Sequence, residues 1–258
     1  MRVGPYIGWI VLAAVFGSAV LAMLIGRRLP ESHSRDDTKG VVAVSMGVVG
    51  TLTALVLGLL ISTASSTFNL RTQEVTQMAA NLIQLDHLLR RYGPEAGGIR
   101  YLLRQYTANK FQDLFPQGGA TAVKLEDPTT VSILEELQDR LATMEGHSAD
   151  QRWLQSQAET LTTEIVDARW LLIEQDGVGI PVPVLILVLF WLCLLFISFG
   201  IFAPHNATVA VVLFLCALAV AGAIQTILDL SRPFEGLIRV SGQPLRHALQ
   251  MISGGSLP

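Results

Sequence analysis

The sequence predicts an all-α protein that crosses a membrane four times, with a helical soluble domain inserted between the second and third crossings. Three observations predict it. Apolar residues make up 51% of the 258-residue chain and are bunched into four runs of about 20 residues or more, the length a helix needs to cross the hydrocarbon core. Charged residues reach only 15%, against roughly 25% in soluble domains, and the mean hydropathy is +0.48. Between the second and third runs, apolar residues recur at three–four spacing, and no segment alternates as a strand does.

The first run, about 5–26, is longer than the apolar core of a signal peptide. No clear small-residue cleavage site follows it, and Arg27-Arg28 comes at once, so it reads as a retained membrane helix. The second run, about 41–63, follows the polar link RRLPESHSRDDTK. The third, about 180–202, opens with Pro181 and Pro183, where a missing N–H costs a helix least. The fourth, about 207–228, follows the short link APHN, which forces an antiparallel hairpin. Asn206 is placed to cap its start.

The insert, about 64–179, carries four helical stripes. Val75, Met78, Leu82, Leu85 and Leu89 form the first, ended by Gly93-Pro94. Ile99, Leu102, Leu103, Tyr106, Leu114 and Phe115 form the second, up to Pro116. Leu134, Leu137, Leu141 and Met144 form the third, entered through Asp127-Pro128. Leu154, Ala158, Leu161, Ile165, Ala168 and Leu172 form the fourth, preceded by Ser148 and Gln151 in capping-box spacing. The expected division is therefore 1–63, 64–179, 180–230 and a C-terminal amphipathic tail, 231–258. The tail has two courses open to it, along the membrane surface or back against the insert.

The second run is not uniformly greasy. At about 100° per residue, Gly47, Thr51, Ala54, Gly58, Ser62, Ser65 and Asn69 share one side, flanked by Leu55 and Ile61. Val48, Val49, Leu52, Val56, Leu59 and Leu60 share the other. A small, hydroxyl-bearing stripe on a membrane helix admits a closely packed neighbour or faces a wet path. Packing alone explains the glycines; it does not need the hydroxyls of Ser62 and Ser65.

Reaction chemistry finds no footing. There is no glycine-rich phosphate loop, HExxH, CxxC or Gly-x-Ser-x-Gly motif. The net charge of -3 and the lack of a basic run give no footprint for nucleic acid. Neither an enzyme nor a cofactor or metal site is expected, and Cys193 and Cys216 read as apolar packing residues. At the end of the fourth run, Gln225 and Asp229 lie four apart on one helical face, and Asp229 is expected to pair with Arg232. Pro233-Phe234 then breaks the helix and Gly236 permits a turn. In the hairpin FGIFAPHN, Gly200 precedes a reversal at Pro204, His205 and Asn206, where a ligand role for His205 is open.

The tail LDLSRPFEGLIRVSGQPLR resembles the C-terminal signature of a bacterial membrane family called bestrophin-like, with Asp229, Pro233, Phe234, Gly236 and Val240 in its L-D-x-x-x-P-F-x-G-x-x-x-V core. The ISFGIFAPHN hairpin, with Pro204 and Asn206, and the VGTLTALVLGLL part of the second run are similar to family segments too. The family is distantly related to bestrophins, which are pentameric anion channels whose second membrane helix lines the pore. The resemblance implies a homo-oligomer, a pentamer in bestrophins, with a cytoplasmic helical domain and an axial pore walled by Gly40–Asn69. It does not carry over the aromatic ring of the bestrophin neck, because Phe68 is the only aromatic in that stretch. Nor does it carry over an acidic calcium clasp.

Two functions stay open. The first is an oligomeric channel for small inorganic ions, anions by the resemblance, lined by Gly47, Thr51, Ala54, Leu55, Gly58, Ile61, Ser62, Ser65 and Asn69. The second is a non-conducting membrane scaffold or sensor whose helical domain binds a partner or ligand. The expected location is the cell membrane, with both termini cytoplasmic. Charge does not decide the orientation: Arg2, Arg71, Arg169, Arg232, Arg239 and Arg246 favour it, while the basic link Arg27, Arg28, Arg35 and Lys39 opposes it.

Overall fold

The computed structural model describes residues 6–26, 36–116, 123–174, 180–204, 206–234, 236 and 238–254, with the backbone alone at 36–38. Among the described residues eight α-helices run in order: α1 Ile7–Gly26, α2 Asp36–Tyr92, α3 Gly97–Leu114, α4 Pro128–Ala142, α5 Ala149–Glu174, α6 Val182–Phe202, α7 Ala207–Leu230 and α8 Gln243–Ile252. No strand occurs among the described residues. Among the described residues four helices, α1, α2, α6 and α7, are long and apolar enough to cross a membrane.

Local chemistry sets the helix ends. α2 stops at Tyr92 because Gly93 takes a φ of 129° and Pro94 follows. The Asp127 carboxylate accepts from the Thr129 N–H at 3.0 Å and so caps α4. Before α5, Ser148 Oγ accepts from the Gln151 N–H at 3.1 Å, while Gln151 Oε1 accepts from the His147 N–H, not that of Ser148 itself. Asn206 Oδ1 accepts from the Val209 N–H at 3.0 Å and starts α7. Replacing Asn206 with Ala is expected to cost about 1 kcal/mol; thermal melting of the reconstituted protein measures it.

The described residues fall into two compact units, one within 1–68 and 179–238, the other within 69–178 and 239–258. In the first, Val11, Val15 and Ala19 of α1 form a core with Val188, Leu192 and Phe196 of α6 and Ala217, Ala221 and Ile224 of α7. Phe16 meets Phe214 edge-on, 5.3 Å between centroids. α1 and α6 approach until only glycine fits: a Cβ on Gly200 would collide with the Ala19 carbonyl oxygen and lie 2.9 Å from the Ala22 Cβ. A Cβ on Gly26 would sit 2.8 Å from the Ile201 carbonyl oxygen. Gly200 therefore serves helix packing as well as the approach to the reversal.

The second unit holds the C-terminal part of α2 with α3, α4, α5 and α8. Val75, Met78, Leu82, Leu85 and Leu89 are buried, as are Leu134, Leu137 and Leu141. Phe115, Met144, Leu161 and Ala168 are only half-buried. The inward register of α5 is Leu154, Ala158, Thr162, Ile165, Arg169 and Leu172, so a threonine and an arginine stand where the apolar stripe was expected to continue. Thr162 donates to the Ala158 carbonyl at 2.8 Å, which lets it sit inside. The Asp86 carboxylate, 3% exposed, accepts from Arg90 Nε at 2.7 Å and Arg100 Nε at 2.8 Å, tying α2 to α3. α8 buries Leu245, Ala248 and Ile252 and packs on α3, while Arg90 Nη2 donates to the Met251 carbonyl at 2.9 Å.

Candidate functional site

α2 turns one face to its own unit and a wider face away from it. Thr53 and Ala64 are buried, and Val56, Leu57 and Leu60 pack against the core. These positions lie three, four, seven and eleven apart, as one side of a helix requires. Gly47, Thr51, Ala54, Gly58, Ser62, Ser65 and Asn69 are all exposed, and so are Leu55 and Ile61. A Cβ added to Gly47 or Gly58 would meet no atom within 4 Å. Close packing inside the chain therefore uses the glycines between α1 and α6, not those of this stripe. In the membrane-length stretch of α2 only 6% of residues are buried, against 22% in each of α1, α6 and α7.

The second side of the wheel divides. Val49, Val56 and Leu60 are half-buried, whereas Val48, Leu52 and Leu59 are exposed. The outward arc is thus half small and polar, half apolar. Its hydroxyls also divide. Thr51 Oγ1 donates to the Gly47 carbonyl at 2.9 Å, and Thr63 Oγ1 to that of Leu59 at 3.0 Å, a local bond that hides a hydroxyl proton in the helix. The Ser62 and Ser65 hydroxyls make no hydrogen bond to the chain.

The tail residues form a second polar group. Asp229 is 6% exposed and its Oδ1 accepts from Gln225 Nε2 at 2.9 Å. Gln225 Oε1 accepts from the Gly8 N–H at 3.0 Å, satisfying one of the orphan donors in the first turn of α1. Gly236 has a φ of 93°, and a Cβ there would lie 2.8 Å from Asp229 Oδ1, so only glycine fits. Pro233 is buried and Phe234 half-buried. The expected Asp229–Arg232 ion pair is not formed. α7 ends at Leu230, so helical spacing no longer aims Arg232 at Asp229; its side chain is exposed, and only its backbone N–H reaches the Asp229 carbonyl, at 3.1 Å. Pro204 is exposed, its carbonyl accepting from the Asn206 N–H at 2.9 Å. His205 lies outside the described residues. Among the described residues no group of three His, Cys, Asp or Glu comes together to hold a metal ion.

A third polar group, in the second unit, was not anticipated. Tyr106 and Lys110, one turn apart on α3, are 0% and 2% exposed, and Arg169 of α5 is 7% exposed. Lys110 Nζ donates to the Leu125 carbonyl at 2.8 Å, and Arg169 Nη2 to the adjacent Glu126 Oε1 at 2.7 Å. Thr130 Oγ1 donates to Asp113 Oδ2 at 2.7 Å. Burial pushes the Lys110 ammonium down to about 8, with Arg169 adding to the fall and Asp113 and Glu126 opposing it. Burial likewise pushes the Tyr106 phenol up. The sequence signal was present but faint: a lysine four residues after a core tyrosine, and an arginine in the inward register of α5.

These shifts fix a pH dependence. Between about 8 and 10.5 the unfolded chain holds the Lys110 proton more tightly than the folded one, so stability rises with pH across that window. Above pH 10 the raised Tyr106 reverses the trend, because the unfolded phenol ionises first. The full-length protein is expected to gain about 2 kcal/mol from pH 7 to pH 10. Lys110→Met should flatten the rise; melting temperatures across the range check it.

The fold and these sites define an all-helical membrane protein whose second spanning helix leaves a small, hydroxyl-bearing face uncovered. The Bestrophin-like domain matches residues 13–245, and the chain belongs to that family. Its structure is similar to crystal structures of a bacterial bestrophin homologue from Klebsiella pneumoniae. One has a TM-score of 0.66 at 13% identity and covers 96% of this chain and 99% of its own; an I180T variant of that homologue has 0.67 at 13%, covering 95% and 99%. A further crystal structure, described as a membrane protein, has 0.68 at 13%, covering 96% and 99%. At that identity the likeness is one of fold. No curated protein matches the chain.

Proposed function

We propose that copies of this chain assemble as a ring in the cell membrane, five by analogy with bestrophins, and that the small face of α2 lines an axial path for small inorganic ions. One observation carries the reading: the whole stripe from Gly47 to Asn69 is exposed, and among the described residues no other part of the chain covers Gly47 or Gly58. A polar stripe turned to lipid is unfavourable, so water or another subunit must meet it. Leu55, 69% exposed, and Ile61, 44% exposed, flank it and are placed to form an apolar constriction that gates by dewetting. Gly40–Asn69 holds no lysine or arginine, so selectivity rests on hydroxyls and backbone dipoles. The family relation favours anions and cytoplasmic termini, with no reaction catalysed.

The scaffold reading has the small stripe itself packed against a neighbouring helix, with the helical domain binding a partner or ligand. Reconstitution separates the two. Purified protein in anionic-lipid vesicles loaded with an iodide-quenched dye should admit iodide, and the same assay with potassium or sodium indicators ranks the ions. Vesicles that remain tight to every ion would overturn the channel reading.

A further inference from the structure

The buried polar group of the second unit has more donors than its own acceptors take up. Tyr106 Oη and Arg169 Nε are buried and have no hydrogen-bond partner. Lys110 Nζ places one of its three hydrogens, on the Leu125 carbonyl. The neighbouring carboxylates accept elsewhere, Asp113 from Thr130 and Glu126 from Arg169 Nη2, and neither bonds to Tyr106 Oη or Arg169 Nε. The donors belong together in space. Tyr106 and Lys110 are one turn apart on one face of α3, and Lys110 and Arg169 grip adjacent residues, Leu125 and Glu126. Native proteins rarely leave a buried donor unmatched, because the desolvation cost is not recovered.

We infer that Tyr106, Lys110 and Arg169 form a binding site for a small inorganic anion, within the helical unit and apart from the face of α2. The chemistry distinguishes an anion from water. A buried water would have to place its own two hydrogens on the Tyr106 oxygen or on lone pairs left on Asp113 and Glu126, whereas an anion accepts from all three donors and donates nothing. Lys110 and Arg169 stand at the site beside the carboxylates of Asp113 and Glu126, and Glu126, whose side chain is 49% exposed, marks its solvent edge. Trp170, stacked on the Arg169 guanidinium at 4.8 Å, holds that side chain in place from the outside. The site is independent of whether the chain conducts ions.

The test uses the full-length protein in detergent micelles, melted in sodium gluconate with chloride, nitrate or phosphate replacing gluconate at constant ionic strength. At an anion concentration about 100-fold above its Kd, the wild type is expected to melt roughly 5 °C higher, saturably. Tyr106→Phe should weaken the anion by about tenfold, and Arg169→Gln should abolish the shift. Ser62→Ala, on the face of α2, should leave it intact. If Arg169→Gln does not fold, Tyr106→Phe decides, since it removes a hydroxyl with no partner and should melt at or above the wild type in gluconate. A flat wild-type response, or a shift unchanged in Tyr106→Phe, means the group holds water only and overturns the site. A Tyr106→Phe melt well below the wild type in gluconate shows a hydroxyl already satisfied by water and overturns it too. A shift lost in Ser62→Ala but kept in Tyr106→Phe places the anion on α2 and overturns it as well.

Discussion

Ser62→Trp is expected to lower ion flux through the reconstituted protein by at least about tenfold while leaving its melting temperature unchanged. A barrier raised by only about 1.4 kcal/mol produces that drop, and an indole in every copy of the proposed ring would narrow the path from all sides at once. The fold tolerates the change because Ser62 is exposed and its hydroxyl bonds to nothing in the chain. Leu52→Trp supplies the control. It sits on the apolar half of the outward arc, 46% exposed, and flux should stay near the wild-type value. Vesicle flux assays on the three proteins give the answer. Flux untouched by Ser62→Trp would remove the small face of α2 from the conduction path.

Gly200→Ala is expected to destabilise the protein by about 3 kcal/mol, the upper part of the range for overpacking. The added methyl has no room: it meets the Ala19 carbonyl oxygen, a backbone atom, and the Ala22 Cβ at 2.9 Å. Relief requires α1 and α6 to separate along their contact. Gly58→Ala makes the same chemical change where no described atom lies within 4 Å, and its melt should lie at the wild-type value or up to about 1 kcal/mol above it, as helix propensity favours alanine. Chemical denaturation in micelles compares the two. The pair also separates the two functional readings. If the stripe is buried against a second copy, Gly58→Ala should loosen the oligomer in size-exclusion chromatography; if it faces water, the oligomer should be unaffected.

The spanning helices were legible because hydropathy over about 20 residues is a property of the segment itself. The caps at Asp127, Ser148 and Asn206 were legible for a similar reason, since each bond reaches a backbone N–H only two or three residues on. What depended on neighbours was not. The wheel grouped Val48 and Val49 together, and only the packing of α2 on its own unit turns Val49 inward and leaves Val48 outside. Gly200 read as part of a reversal because a close helix contact leaves no mark on its own sequence. Helical spacing pairs Arg232 with Asp229, but the helix stops at Leu230. Lys110 and Arg169 were passed over since long charged side chains are rarely buried.

On the proposed path, the threonine and serine hydroxyls of α2 would bear on the sign of the ion. A threonine whose proton is held by the preceding turn, as at Thr51, shows the outside only oxygen lone pairs, which suit a cation. Ser62 and Ser65, with protons uncommitted, can point hydrogen outward and suit an anion. Along a path walled by this face, charge preference would change with depth. A Ser62→Thr exchange, which keeps the hydroxyl but places it to bond back to the helix, would then act on selectivity and not on passage itself.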